Sequence, residues 1–351
     1  MTQILCFYMG YTPSFNGENY HNKKVYGSEI TTIKLAEALS SVYDVYIFVN
    51  ALTEKEEIRY NGVQYLHTYK LNYFERIDIM VVVRYINYFI YFKNIAQKTY
   101  IWLHDVTAQP SYKGTILQNN GDNLLYNLDE CFTNLIVLSD YHLNNNMEYI
   151  GLPLSKYVII PNIIDTSYYK QTDIIKNRFI YMSDVSRGLS ILLDCLLYIQ
   201  KYKDDISLVV FRKEEFTEEI KTKLDLLNKV IIYGKESQQI IANECLQSEY
   251  FFYPTNFCET FCNCAAEAQL YKTVCIYNNV GALSTTIEDR GLPIYHNINK
   301  KDYVEKTSKN VIELMDNEEK KQDYIKRGYE WAKNLDIKVV KNRWLDLFNE
   351  I

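Results

Sequence analysis

Glu259 and Glu267, eight residues apart, flank a stretch that could hold an anion. The surrounding sequence reads FFYPTNFCETFCNCAAEAQLYK from Phe251 to Lys272. An apolar run at 250–253 reads as a buried strand, and Pro254 then ends the hydrogen-bonded ladder. Residues 261–270, with Ala265, Ala266 and Ala268 among them, have the composition of a helix. The start of such a helix offers backbone N–H groups with no intrahelical acceptor and the positive end of a dipole, a seat for phosphate. Glu259 falls beside that end, and Glu267 lies at most about 12 Å further along if helical. A carboxylate on each flank of a diphosphate can take the hydroxyls of a sugar and of a ribose, which is what binding a nucleotide-sugar demands. Taken alone the pair is a weak sign, because solvated helices often carry glutamates at such spacings.

The elements that must position these residues alternate along the chain. Apolar runs at 3–9, 45–49, 63–66, 78–84, 99–103, 135–138 and 158–160 read as strands, with helix patterns after Ser28 (a plausible N-cap), near 124–131 and at 140–149. A polar crossover at 163–176 follows Pro161-Asn162. A second set of strands then comes at 178–182, 208–211, 230–233, 250–253 and 274–277, with helices opening near Arg187, Glu215, Glu236, Phe261, Lys301 and Glu318. Strands alternating with helices predict mostly parallel sheets covered on both faces, an α/β chain of two Rossmann-like domains. The domains expected are 1–165 and 166–334, with an amphipathic helix at about 335–351 crossing back to complete the first.

Composition narrows the function classes. A net charge of -6 argues against a basic nucleic-acid-binding face, so an anionic ligand must be met by local donors. The glycines of the first strand-loop-helix do not follow the dinucleotide fingerprint, which disfavours a nicotinamide cofactor. Eight cysteines in mostly apolar contexts, with no secretory leader recognisable at the N-terminus, read as reduced core thiols of a cytoplasmic protein. Cys258, Cys262 and Cys264 lie close together but lack a partner pair at zinc spacing, so no metal is expected. The apolar run 77–92, broken by Asp78 and Arg84, is too short to span a bilayer, and peripheral membrane contact stays open. Its group Tyr85, Tyr88, Phe89, Tyr91 and Phe92 reads as packing.

Several segments, in order, resemble the retaining family 4 glycosyltransferases of the two-domain GT-B fold, whose Rossmann-like domains face across a cleft. Tyr253-Pro254-Thr255, Glu259-Thr260-Phe261-Cys262 and Ala266-Glu267-Ala268 are similar to their donor-site signature, and Gly281-Ala282-Leu283 to the loop after it. Tyr181-Met182-Ser183 with Arg187-Gly188-Leu189 resembles the loop bearing their phosphate-binding cation. Ser139-Asp140-Tyr141 and the PNIID run at 161–165 resemble the end of their first domain. Trp102-Leu103-His104-Asp105 and Gly27-Ser28-Glu29 resemble their acceptor-side loops. The likeness runs over nearly the whole chain, and the order of the motifs is what makes it specific.

The resemblance implies roles. Glu267 would hold the ribose hydroxyls and Glu259 those of the donor sugar, with the backbone of Thr260, Phe261 and Cys262 at the diphosphate. Arg187 would neutralise charge on the leaving diphosphate. His104 would sit over the transferred sugar, Gly27 and Ser28 would approach the leaving group, and the 230–235 segment with Gly234 and Lys235 would meet the base. The implied partners are a nucleoside diphosphate sugar as co-substrate, UDP slightly ahead of GDP, and a glycan or lipid-linked acceptor, as in glycan biosynthesis, with no resident cofactor. No Asp-x-Asp motif occurs, in keeping with a metal-independent site. Two positions depart from the family: Tyr271-Lys272 stands where a glycine usually follows the second glutamate's helix, and Ser183-Asp184-Val185-Ser186 replaces a stretch that often carries a second basic residue. A nucleotide-sugar epimerase of the same fold and a catalytically silent binding protein are the alternatives.

Overall fold

The computed structural model describes residues 2–10, 17–18, 27–50, 56–106, 129–212 and 215–350. The loop 10–24 beyond Gly10, the loop 108–123 and most of the helix pattern at 124–131 fall outside the described residues, apart from Gly17 and Glu18 and a 3-10 turn at Asp129–Cys131. The chain divides into two compact units, Met1–Ile163 with Ile337–Ile351, and Ile164–Asp336.

In the first unit, eight strands form one sheet: β1 (Ile4–Met9), β2 (Asp44–Val49), β3 (Glu57–Tyr60), β4 (Val63–His67), β5 (Ile77–Val83), β6 (Ala96–Trp102), β7 (Asn134–Val137) and β8 (Tyr157–Ile159). Their spatial order is β3-β4-β2-β1-β5-β6-β7-β8, parallel throughout except at the β3–β4 hairpin. Every residue of β5 is buried, as expected of a central parallel strand covered on both faces. The β3 strand was not expected from the sequence. Its hairpin turns on Asn61-Gly62, both at positive φ (46° and 81°), a pairing whose backbone twist matches the flanking strands.

The helix Ile337–Asn349 packs into this unit although it lies far along the chain. Its Trp344 ring meets that of Trp102 at 4.8 Å, and its end is held by Tyr100 Oη donating to the Leu347 carbonyl. Tyr85 and Tyr88 are buried, as their reading as packing residues requires, whereas Tyr91 is exposed.

The second unit has six parallel strands, β9 (Ile175–Tyr181), β10 (Ser207–Phe211), β11 (Val230–Tyr233), β12 (Ser248–Tyr253), β13 (Val274–Asn278) and β14 (Leu292–Ile294), in the order β11-β10-β9-β12-β13-β14. The short β14 was also not expected. The chain winds outward one way from β9 through β10 and β11, then returns to place β12 on the other side of β9. The chain therefore leaves β9 toward one side of the sheet and β12 toward the other, and the carboxyl ends of these two strands mark the reversal where open α/β sheets bind ligands. Apolar residues Leu189, Leu192, Leu193 and Leu196 of the helix Leu189–Ile199 are buried, as is the alanine-rich side of Asn263–Leu270.

No helix among the described residues is long and apolar enough to cross a membrane.

Candidate active site

Arg187 and Glu259, 72 residues apart in sequence, meet at the point where the strand order of the second unit reverses. Arg187 lies at the end of a 3-10 turn (Val185–Arg187) after β9, and Glu259 lies in the loop after β12. Arg187 Nη1 donates to Glu259 Oε1 at 3.0 Å, and the guanidinium lies over the Phe257 ring, 3.7 Å from its centroid. The fully buried Tyr253 donates its phenol proton to the same carboxylate oxygen at 2.9 Å, and Ser183 Oγ donates to Tyr253 at 3.0 Å. Both bonds land on Oε1, which fixes the carboxylate's orientation and leaves Oε2 for a ligand. Burial disfavours the guanidinium's charge, but Glu259 and Tyr253 outweigh it and hold Arg187 above its ordinary pKa. Burial pushes the Tyr253 phenol well up, so it stays a proton donor.

Two glycines bring the loops together. Gly188 has φ +118°, and a Cβ there would sit 2.0 Å from the Pro254 carbonyl oxygen. Gly281 has φ +57°, and its Cβ would sit 2.8 Å from the Glu259 nitrogen; the next residue, Ala282, donates its N–H to the Glu259 carbonyl at 2.8 Å. The Glu259 loop is thus held between two backbones at distances only glycine permits.

Three expected helix starts at the candidate site residues need correction. Phe261 does not open the helix, which begins at Asn263; Cys262 precedes it in a left-handed conformation (φ 68°, ψ 80°) that turns the chain sharply out of the loop. Such backbone in a residue other than glycine costs about 1–2 kcal/mol and tends to mark functional loops. Arg187 does not open its helix either, because Gly188 caps Leu189–Ile199. Ser28 is not an N-cap: the helix Gly27–Leu39 already includes it, and its hydroxyl donates to Glu29 within the buried first turn.

Thr260 follows Glu259 in the loop, and the Phe261 carbonyl accepts from the Thr286 hydroxyl. Glu267 lies on Asn263–Leu270 and accepts from Gln238 Nε2 at 2.6 Å. Gln238 begins the helix Gln238–Leu246, directly after the turn that carries Gly234 and Lys235. Glu267 is thereby brought to the 234–238 turn, which no spacing along the sequence indicated. At the helix's far end Lys272 adopts φ 63°, the backbone that glycine would supply, and its ammonium lies 5.2 Å from the Tyr169 ring and 4.7 Å from that of Tyr329. These ring contacts offset part of the strain. Cys258 and Cys131 are exposed, contrary to their reading as core thiols, and Cys264 is half-buried. Among the described residues no three His, Cys, Asp or Glu side chains gather as a metal site.

His104 belongs to the first unit, just past β6. Its ring packs on Trp102 at 4.8 Å, and burial, then the charge of Arg84, keeps its pKa well below the ordinary value, so the imidazole is neutral at pH 7. The adjoining Asp105 takes a two-pronged bond from Arg84 (2.8 and 3.0 Å), a residue after β5 with φ 70°. His142 Nδ1 accepts from the Leu138 N–H, so its Nε2 carries the proton and donates to the Asp105 carbonyl at 2.8 Å. Gly27 is at the start of its helix. Phe257 and Gln238 are the participants that sequence reasoning missed. Tyr253, Ser183 and Gly188 stood within the motifs quoted from the sequence, but no role was assigned to them.

Residues 173–331 match a protein-family model described as Glycosyl transferases group 1. A search of the curated proteins found no match. Among solved structures, a glycosyltransferase from Rickettsia africae is similar at 13% identity with a TM-score of 0.74, over 99% of this chain and 98% of that one. Anabaena Alr3699/HepE in complex with UDP and glucose gives 14% and 0.73 over 99% and 100%. Sucrose-phosphate synthase from Thermosynechococcus elongatus gives 12% and 0.72 over 99% and 98%. These likenesses show the fold, which is the GT-B type.

Proposed function

We propose that this glycosyltransferase moves a sugar, with retention of configuration, from a nucleoside diphosphate sugar to a hydroxyl of a glycan or lipid-linked acceptor. The observation that carries the reading is the Arg187–Glu259 pair at the strand-order reversal of the second unit, with Glu267 held against the 234–238 turn. In this reading the diphosphate lies at the start of Asn263–Leu270, Arg187 neutralises it, Glu259 takes hydroxyls of the sugar, and Glu267 takes those of the ribose. The base lies along Gly234 and Lys235, met through backbone. The roles on the sugar and the leaving group that the family resemblance gives to His104, Gly27 and Ser28 of the first unit belong to the same proposal.

A nucleoside diphosphate is already a good leaving group, so catalysis rests on positioning and on stabilising its developing charge. The acceptor's proton passes to the leaving phosphate on the same face of the sugar, which needs neither a protein base nor a metal. The Anabaena neighbour's complex with UDP and glucose supports a UDP-sugar ahead of a GDP-sugar. Calorimetric titration with UDP and GDP, together with a donor-hydrolysis assay, tests the reading. Glu267→Ala weakens nucleotide binding, whereas Glu259→Ala chiefly cuts turnover; unchanged values for both variants would refute the assignment.

A further inference from the structure

We infer that Glu259 also competes with the diphosphate for Arg187, so that the site loosens its hold on the spent nucleotide once the sugar has left. The inference rests on the donor-site reading above and goes beyond it. The loops 182–188 and 254–262 contain one basic residue, Arg187, and two carboxylates, Asp184 and Glu259. Asp184 is engaged locally, accepting from the Ser186 N–H (2.9 Å) and hydroxyl (2.6 Å). Glu259 is the carboxylate that neutralises Arg187, and it is held toward the guanidinium by Tyr253.

A diphosphate can claim Arg187 only by displacing that carboxylate. With an intact donor the exchange is balanced, because sugar hydroxyls donate to Glu259 while the phosphates take the guanidinium. With a bare nucleoside diphosphate nothing replaces the lost cation at Glu259, whose side chain is 13% exposed, and a largely buried carboxylate without its counter-charge is costly. Phe257 matters here because it backs the guanidinium at 3.7 Å and keeps Arg187 in place while its partners change. The pair thus favours the intact sugar donor over the product that resembles it.

The test compares Glu259→Gln with the unaltered chain by calorimetry, using UDP, GDP and inorganic pyrophosphate as separate probes. The neutral amide can still accept from Tyr253 but cannot hold Arg187 by charge. The expected result is tighter binding of a nucleoside diphosphate and of pyrophosphate by about three- to tenfold, the worth of one partly buried charge pair. In Glu259→Gln combined with Arg187→Met the gain disappears. Equal or weaker binding by Glu259→Gln overturns the competition while leaving the donor site intact. Failure of all three probes to bind either protein overturns the competition together with the reading beneath it.

Discussion

Replacing Gly188 with alanine perturbs one of the two glycine positions that bring the Arg187 and Glu259 loops together. The new Cβ would lie 2.0 Å from the Pro254 carbonyl oxygen and 3.0 Å from its carbon. Since non-bonded contacts settle near about 3.5 Å, one backbone must retreat by about 1.5 Å. The obstacle is main chain at the end of β12, so no side-chain rotation relieves it. Alanine at φ +118° adds backbone strain of about 1–3 kcal/mol. Together these predict a loss of about 2–4 kcal/mol, which for a unit of this size lowers its melting temperature by roughly 5–12 °C.

Two further glycines separate the contributions. Gly151 has φ +76° with nothing near its virtual Cβ, so Gly151→Ala carries the strain alone, about 1 kcal/mol. Gly234 has neither constraint, and Gly234→Ala leaves stability within about 0.5 kcal/mol. Thermal and urea unfolding of the three variants measures the series, and UDP titration reports whether the Arg187 loop has moved. A Gly188→Ala protein as stable as Gly234→Ala, with unaltered nucleotide binding, refutes the close approach and the loop geometry built on it.

Tyr253→Phe removes the phenol bond to Glu259 and strands the Ser183 hydroxyl. A bond to a charged group is worth about 1.5–3 kcal/mol, so kcat/KM should fall by about tenfold or more, and kinetics equal to the parent's would exclude an orienting role for Tyr253. His142 supplies a pH dependence: burial lowers its pKa from 6.5 to about 4, so the unfolded chain binds the proton more tightly than the folded one. The stability this contributes is full above the unfolded value of about 6.5 and is lost as the pH falls toward about 4, by about 3 kcal/mol in all. His142→Gln should flatten the slope of unfolding free energy against pH across that window by up to one proton; an unchanged slope shows that other groups govern it.

Much of the fold could be read because its determinants are local. Parallel strands buried on both faces must be continuous apolar runs, and helices between them carry a 3.6-residue stripe, so the α/β alternation was visible from 3–9 to 274–277. The two missed strands were short. β3 has exposed Glu57 and Arg59 and announces itself only by Asn61-Gly62, and β14 contains Pro293, which argues against a strand unless it lies at a sheet edge, where β14 does.

The sequence supplied the residue types for the chemistry: Arg187 before a glycine, and two glutamates, one in the loop before an alanine-rich helix and one within it. It did not determine that they would meet. Arg187 reaches Glu259 because β9 and β12 are neighbours in the sheet, a pairing that burial of both faces selects and local preference does not encode. The same holds for Tyr253, legible only as a strand residue until the sheet carried its hydroxyl to Glu259. Cys262 and Lys272 show the converse. Local preference opposes their left-handed backbone, and the surrounding packing imposes it, because the free energy of a whole unit exceeds the strain at two residues.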